Sequence, residues 1–221
     1  MDNMQQMLIN VLDDNSEYIN SLQHINILEI GTGFGNGTTK HLYDYFENKS
    51  FTINSYEGVD ECFIHASKLW HDYENVHIHN LFFCNKGDIL KMILPNLRDD
   101  LTPGSPLTKK HYGKDYLNTR MKDNFVSLID FTPDIILIDS WRFSHGAIVN
   151  KCKEFVKPST LFIVEEDFPH LTTPTGSGKG PPFYPNGGEQ DIIQKYFDIY
   201  NIKYYDSHWG DVFNFFTFNI K

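Results

Sequence analysis

The sequence predicts an α/β fold in which helices cover both faces of a mostly parallel β-sheet, and three observations support this prediction. First, short apolar runs rich in β-branched and aromatic residues recur along the chain, which is typical of strands buried on both faces. Second, helix-like segments separate these runs, so strand and helix alternate. Third, only a few residues separate the last two strand candidates, and a connection that short indicates an antiparallel final pair.

The strand candidates are, in chain order, Asn26–Ile30, Phe51–Glu57, Val76–Phe83, Asp134–Asp139, Leu161–Glu165, Ile202–Ser207 and Val212–Ile220. The second and third are the weaker predictions. Helical patterns lie between them at Thr38–Phe46, Ile64–Tyr73, Ile89–Leu97 and Gly146–Val156, with a further helical stretch from Glu189. Right-handed crossovers are the default connection for such an alternation.

The length of 221 residues suits one domain that spans residues 1–221. Hydrophobic residues make up 40% of the chain and aromatic residues 15%, enough to supply a core without metals or disulfides. Two long segments, 98–123 and 168–188, interrupt the alternation with many Pro and Gly residues. Loops of this length in a compact domain are either disordered or functional lids.

The charge balance excludes one large class of function. The chain has 29 acidic and 19 basic residues, a formal net charge of −10, which argues against a protein that holds DNA or RNA through its phosphates. Cys62, Cys84 and Cys152 have no CxxC spacing and are expected to be reduced thiols. Residues 1–24 lack the features of a signal peptide, and no run approaches the roughly 18 apolar residues of a membrane span. We therefore expect a cytoplasmic protein with no membrane partner.

The most specific motif follows the first strand candidate, where Gly31, Gly33 and Gly35 alternate with other residues and Glu29 precedes them. Glycines at this place let the backbone turn sharply and approach a ligand closely, and the following helix offers free N–H groups. A dinucleotide-binding fingerprint requires GxGxxG, but Asn36 stands where its third glycine belongs. The remaining pattern is ExGxGxG.

This pattern resembles the first motif of the class I S-adenosylmethionine (SAM) methyltransferases, and the resemblance extends over nearly the whole chain. It implies a Rossmann-like SAM methyltransferase fold, with a mostly parallel seven-stranded sheet, an antiparallel last strand and SAM as the cofactor. It also implies that Gly31, Gly33 and Gly35 pass beside the methionine end of SAM, with Glu29 nearby. A carboxylate close to the cationic sulfonium and ammonium groups is electrostatically favourable.

Further cofactor contacts are expected after the second and third strand candidates. Glu57, followed by Gly58, ends the second, where an acid can accept hydrogen bonds from both ribose hydroxyls, and the resembling family has an acid here. Asp88 lies where related enzymes contact adenine. An Asp at a helix start is also a common N-cap, so both interpretations of Asp88 stay open.

Acids also follow the fourth and fifth strand candidates: Asp139 after one, and Glu165, Glu166 and Asp167 after the other. Because ligands of open α/β sheets bind beyond the carboxyl ends of the strands, these acids should face the cofactor crevice. Their mutual repulsion would be relieved by a divalent cation with oxygen ligands. Alternatively, one acid is protonated, or Glu165 and Glu166 point away.

This arrangement is similar to that of metal-dependent small-molecule O-methyltransferases of the catechol and macrolide-sugar types, and closest to the cephalosporin-hydroxylase-like branch. The resemblance implies that Asp139, Glu166 and Asp167 hold Mg²⁺. The extra acid leaves a second pair, Glu165–Glu166, open as the alternative.

The implied reaction is methyl transfer from SAM to a hydroxyl of a small acceptor, with a sugar or nucleotide-sugar as candidates. Asp139 and His145 are the candidate bases. Arg142 is a further candidate catalytic residue, standing where the catechol-type family has a lysine, although a guanidinium cannot act as a base. Two alternatives remain, a metal-independent methyltransferase acting on another small molecule or a protein side chain, and a non-catalytic SAM-binding partner subunit. A homo-oligomer is a further candidate assembly for the chain.

Overall fold

A computed structural model describes residues 3–93, 124–140, 144–166, 193–194, 196–205 and 214–221. Seven strands lie in this part of the chain: β1 Ile25–Ile30, β2 Phe51–Tyr56, β3 Val76–His79, β4 Ile135–Ile138, β5 Leu161–Glu166, β6 Ile199–Tyr205 and β7 Asn214–Ile220. The helices among the described residues are α1 Asn3–Asp14, α2 Ser16–Ser21, α3 Thr38–Phe46, α4 Asp60–Trp70, α5 Lys86–Ile93 and α6 His145–Cys152. The segments 98–123 and 168–188 lie outside the described residues.

The strands form one sheet in the order β3-β2-β1-β4-β5-β7-β6. Strands β1 to β5 pair in parallel, whereas β7 runs antiparallel between β5 and β6. The predicted fold class is therefore confirmed. Strands β2 and β3 lie on one side of β1, whereas β4 and β5 lie on the other, so the strand order reverses at β1. A crevice at the carboxyl ends of β1 and β4 is the usual ligand site in such sheets.

Helices cover both faces of the sheet, and the alternation of side chains along β1 shows how. Leu28 and Ile30 are buried on the face that α5 and α6 cover. Ile27 is buried on the opposite face, which α1 and α3 cover. Because successive side chains of a strand point to opposite faces, Glu29 points to the same face as Ile27.

Several predicted element boundaries differ in the structure. Helix α6 ends at Cys152, not Val156, and β6 begins at Ile199, not Ile202. β3 ends at His79, four residues before the predicted Phe83, because Phe82 leaves the ladder and forms an isolated bridge with Phe125. Helix α4 begins at Asp60, not Ile64, with two acidic residues in its first turn, where the helix dipole favours negative charge. Helix α5 begins at Lys86, not Ile89.

Residues 1–24 carry no predicted element, yet α1 and α2 lie there. Leu8, Val11 and Leu12 have helical spacing and are fully buried against the sheet. The polar residues around them obscure this pattern in the sequence. None of the described helices has the length and apolar character that a membrane crossing requires.

Candidate functional site

The glycine loop after β1 turns with positive φ angles at Gly31 (99°), Gly33 (54°) and Gly35 (80°). At Gly31 a side chain is impossible on two grounds, since its φ lies where L-residues are strained and a Cβ would lie 1.7 Å from the carbonyl oxygen of Asp139. A Cβ on Gly33 would meet no atom within 4 Å. The loop therefore packs against the end of β4 at Gly31 and leaves open space at Gly33.

Glu57 ties this loop to the next one. Its Oε2 accepts a hydrogen bond of 2.8 Å from the N–H of Gly33, and its Oε1 accepts one of 2.7 Å from the N–H of Val59. The residue is 8% exposed, and burial raises the pKa of its carboxyl group above the usual value. Each carboxylate oxygen has a second lone pair, so Glu57 can also accept hydrogen bonds from a ligand.

A cavity of about 450 Å³ opens beside the loop, a volume within the usual range for small-molecule sites. Its floor includes Gly31 and Gly33 at the end of β1 and Gly58 after β2. One wall is apolar and is formed by Val59, Leu81, Phe82, Phe83, Ile89 and Ile148. A flat, largely apolar ring would fit against this wall. The absence of a side chain at Gly58 lets the ring of Phe82 approach the backbone there, because a Cβ would lie 2.3 Å from that ring.

Two acidic residues, Glu57 and Asp139, line the cavity. Three residues with a hydroxyl group line it as well: Tyr56, Ser140 and Ser144. Within the described part of the chain, no lysine, arginine or histidine lines the cavity. The described charged residues of the lining are therefore acidic.

Asp139 follows β4 and reaches the cavity, as predicted for a residue at the carboxyl end of that strand. Its N–H donates to the carbonyl oxygen of Ile30 at 2.9 Å, which fixes its backbone beside the glycine loop. Its Oδ2 lies 3.0 Å from the hydroxyl of Thr38, at the start of α3. The carboxylate thus stands at the junction of β1, β4 and α3.

Glu29 does not line the cavity, although the resemblance implies a position near the methionine end of SAM. Its side chain is fully buried beneath the loop and accepts hydrogen bonds from Thr38 (2.7 Å), Thr39 (2.7 Å) and Ser55 (2.5 Å). Burial, the main cause, raises the pKa of Glu29 to about 7 against the opposing effect of these hydroxyls. In the structure Glu29 therefore links the end of β1 to the start of α3 and to Ser55 of β2.

His145 also lies away from the cavity. It is 1% exposed, and its Nε2 lies 2.9 Å from the carbonyl oxygen of Ser140, to which it donates. A base in contact with an acceptor needs access that this position does not give, so the structure argues against the prediction that His145 is the base. Arg142, the other candidate catalytic residue, lies outside the described residues.

Asp88 is not the N-cap of α5, because that helix begins at Lys86. Its N–H donates a hydrogen bond of 2.9 Å to Oδ1 of Asn85, and its Oδ2 accepts one of 2.6 Å from Nδ2 of Asn85. Asn85 is therefore the N-cap residue of α5, and its side-chain amide also holds the carboxylate of Asp88 three residues later. Asp88 does not line the cavity, whereas its neighbour Ile89 does, and the contact of Asp88 with adenine stays a prediction.

The predicted metal ligands are only partly described. Asp139 lies at the cavity, Glu166 ends β5 with its side chain outside the described residues, and Asp167 is outside them as well. Glu165 is buried near the end of β5, and the alternative Glu165–Glu166 pair stays a prediction. In the described part of the chain, no three His, Cys, Asp or Glu residues are grouped as metal ligands.

Several residues of the site escaped the sequence-based predictions. Thr38 and Ser55, which hold Glu29, are the first of them. A hydroxyl at the helix start after a glycine loop is a usable signal for Thr38. Ser55 depends on the register in which it pairs with Glu29, and nothing local in the sequence reveals that register. Phe82 was placed in a strand, although it forms part of the cavity wall.

No family model and no curated protein matches the sequence. Solved structures do match the fold. An O-methyltransferase from Bacillus cereus in complex with SAH is 14% identical, with 100% of this chain and 82% of the other covered and a TM-score of 0.55. The O-methyltransferase TomG from Streptomyces achromogenes, involved in tomaymycin synthesis and in complex with SAM, is also 14% identical. The match covers 100% of this chain and 81% of TomG, with a TM-score of 0.55.

Fibrillarin from Aeropyrum pernix, with natively bound SAM, is 12% identical with a TM-score of 0.52, and the match covers 88% of this chain and 66% of fibrillarin. At these identities the likeness concerns the fold. The chain has the fold that these SAM-dependent methyltransferases share.

Proposed function

We propose that the chain binds SAM in this cavity and transfers its methyl group to a hydroxyl of a small acceptor. The observation that carries the proposal is the juxtaposition of the Gly31–Gly35 loop with Glu57 in one cavity wall. The loop leaves open space at Gly33, and Glu57 offers two lone pairs at the edge of that space. A ribose with adjacent hydroxyl groups matches this pair of acceptors.

The charge of the cavity favours SAM over other nucleoside cofactors. Glu57 and Asp139 are both acidic, and no described residue of the lining is basic. Pyrophosphate or triphosphate groups would lie against two carboxylates here, which is unfavourable in a site of low dielectric constant. A sulfonium and an ammonium group would instead be attracted by them. SAM is therefore the nucleoside cofactor whose positive charge is complementary to the carboxylates of Glu57 and Asp139.

When bound, SAM supplies an electrophilic methyl group, which an acceptor oxygen displaces in line so that the C–S electron pair stays on sulfur as a neutral thioether. The protein has to orient the two reactants and receive the hydroxyl proton. Orientation can contribute about 7–11 kcal/mol to such a step. Among the described residues that line the cavity, Asp139 is the acid beside the Ser140 and Ser144 hydroxyls, so we assign it as the proton acceptor.

The proposal that the acceptor is a hydroxyl compound is supported by the two structural neighbours described as O-methyltransferases. We extend it to Mg²⁺ assistance, with Asp139, Glu166 and Asp167 as the residues that would hold the ion. Carboxylates are the ligands that Mg²⁺ prefers. Its chemistry would be to lower the pKa of the acceptor hydroxyl and to orient it.

Isothermal titration calorimetry tests the cofactor assignment. We expect SAM to bind with a Kd of about 1–100 μM, a range typical of enzyme substrates, and NAD and ATP not to bind. The absence of SAM binding at millimolar concentration would overturn the proposal. Incubation with SAM and a panel of hydroxyl and amine compounds, with and without EDTA, then tests the acceptor class and the metal. Transfer to amines alone would contradict the O-methyl assignment, and full activity in EDTA would contradict the role of Mg²⁺.

A further inference from the structure

The hydroxyl of Thr38 lies between two carboxyl groups. Its Oγ1 is 2.7 Å from Oε1 of Glu29 and 3.0 Å from Oδ2 of Asp139. Thr38 is 1% exposed and Glu29 is fully buried, whereas Asp139 stands in the cavity wall. A hydroxyl group has a single proton, so Thr38 can donate to only one of the two carboxyl groups at a time.

The other hydroxyls around Glu29 cannot supply the missing proton. Ser55 and Thr39 both donate to Oε2 of Glu29, and Thr32 lies 2.6 Å from the hydroxyl oxygen of Ser55, to which it donates. With Thr38, these four hydroxyls take part in five short contacts, each of which requires a proton. One contact therefore lacks a hydroxyl proton, and only a carboxyl group is left to provide it.

We propose that Thr38 is a positioning residue that links Glu29 to Asp139 through one additional proton, held on Oε1 of Glu29. Glu29 then donates to Thr38, and Thr38 must donate to Asp139, which fixes Oδ2 of Asp139 in the cavity wall. The proton belongs on Glu29 because burial penalises the charged form of a carboxyl group and Glu29 is the more buried of the two. The pKa of Glu29, raised to about 7 mainly by burial, agrees with this placement.

The surroundings of Glu29 contain few other charges. The neighbouring strands place Ser55 and Leu137 beside it, and α3 contributes Thr38 and Thr39. Among the described residues, Asp139 is a charged group that acts on Glu29, and it raises the pKa of Glu29. Glu165 lies on the same face of the sheet, two strands away. Loss of the Glu29 proton would let Thr38 donate to Glu29 and would remove the hydrogen bond from Thr38 to Asp139.

The consequence for catalysis rests on the proposed function, because Asp139 is the proposed proton acceptor. Infrared spectroscopy tests the proton itself and needs no SAM. We expect the wild-type protein, titrated from about pH 5 to about pH 9, to show a protonated-carboxyl C=O band that disappears near neutrality, and E29Q to lack it. The absence of such a band in the wild type would overturn the proposal.

A double-mutant cycle tests the link through Thr38. Asp139→Asn should lower the midpoint of the Glu29 band, since Thr38 can then donate to Glu29. That shift should shrink by at least half in a Thr38→Val background and persist in a Thr39→Val background, because Thr39 donates to Glu29 without reaching Asp139. An equal shift in all backgrounds would show that Asp139 acts through space alone and would overturn the link. This cycle uses no Glu29 variant and remains informative if E29Q does not fold.

Calorimetry provides the functional readout. Thr38→Val should weaken SAM binding about tenfold, because Asp139 loses a hydrogen bond to a charged group, and Thr38→Ser should restore it to within about twofold. Equal losses in Thr38→Val and Thr39→Val would contradict a specific role of Thr38. If the wild type binds no SAM, the proposed function fails while the infrared result still decides whether the proton link exists.

Discussion

The replacement of Glu57 by Gln tests whether the two carboxylate oxygens of Glu57 bind the cofactor. Both carboxylate oxygens are engaged, by the N–H of Gly33 at 2.8 Å and by that of Val59 at 2.7 Å. A Gln side chain has one acceptor oxygen and one NH₂ group, so in either orientation one of these N–H groups faces a donor. The same loss applies to one of the two ribose hydroxyls that Glu57 is proposed to bind.

The magnitude follows from the charge-assisted bond that the ligand loses. A hydrogen bond to a charged group contributes about 1.5–3 kcal/mol, which corresponds to a loss of affinity between about tenfold and about 150-fold. Calorimetry with SAM measures this ratio directly. The thermal midpoint of the free variant, compared with the wild type, separates the loss in the loop from the loss in the ligand site.

Glu61→Gln is the matched control for this experiment. Glu61 is an exposed acid four residues further on, in the first turn of α4, and it does not line the cavity. It removes the same charge from nearly the same region, so we expect its SAM affinity to stay within about twofold of the wild type. Equal affinities of E57Q and the wild type would refute the assignment of Glu57 to the ribose.

Three further predictions follow from the loop, from Glu29 and from Asp139. Gly31→Ala should severely destabilise or unfold the protein, because its Cβ would lie 1.7 Å from a backbone oxygen, whereas Gly33→Ala should fold but lose SAM binding. Gly37→Ala, whose Cβ would meet no atom within 4 Å, should keep both its stability and its SAM binding. Thermal unfolding with and without SAM measures all three variants. The pKa of Glu29, raised from 4.5 to about 7, means that the folded state holds a proton that the unfolded state has lost. Stability should therefore fall by up to about 3 kcal/mol as pH rises between these values, and Glu29→Gln should remove that fall in urea titrations. Asp139→Asn should lower kcat at least about 100-fold in a methyl-transfer assay with the acceptor found in the panel.

Each of these predictions has a contradicting outcome. A stable Gly31→Ala protein with normal SAM affinity would show that the loop does not approach the end of β4 as described. An equal change of stability between pH 4.5 and 7 in the wild type and in Glu29→Gln would contradict the raised pKa of Glu29. Unchanged turnover in Asp139→Asn would remove this residue as the proton acceptor.

The fold was predictable because its signals are local. The apolar runs of β1, β4 and β5 lie within one to two residues of their predicted bounds, and α3 begins and ends at the predicted residues. The short connection before the last strand correctly indicated its antiparallel direction. Local spacing also placed Glu57 and the glycine loop at the ends of neighbouring strands, which parallel pairing then brings together.

The side-chain roles were less predictable, because they depend on the register of strands and on burial. Glu29 has the position in the motif that the resemblance implies, yet strand alternation turns it away from the cavity and towards Ser55 and Thr39. Asp88 has the residue type of a ligand contact, but Asn85 engages it three residues earlier. His145 is buried by the packing of α6. None of these outcomes can be derived from spacing along the chain alone.

A crystal structure of the complex with SAH is the most direct test of the central claim that the glycine loop and Glu57 form a SAM site. We expect the ribose hydroxyls within hydrogen-bond distance of the Glu57 carboxylate, the adenine against Val59 and Phe82, and the methionine end beside Gly31 and Gly33. A nucleoside bound elsewhere on the molecule, or a ribose remote from Glu57, would contradict it.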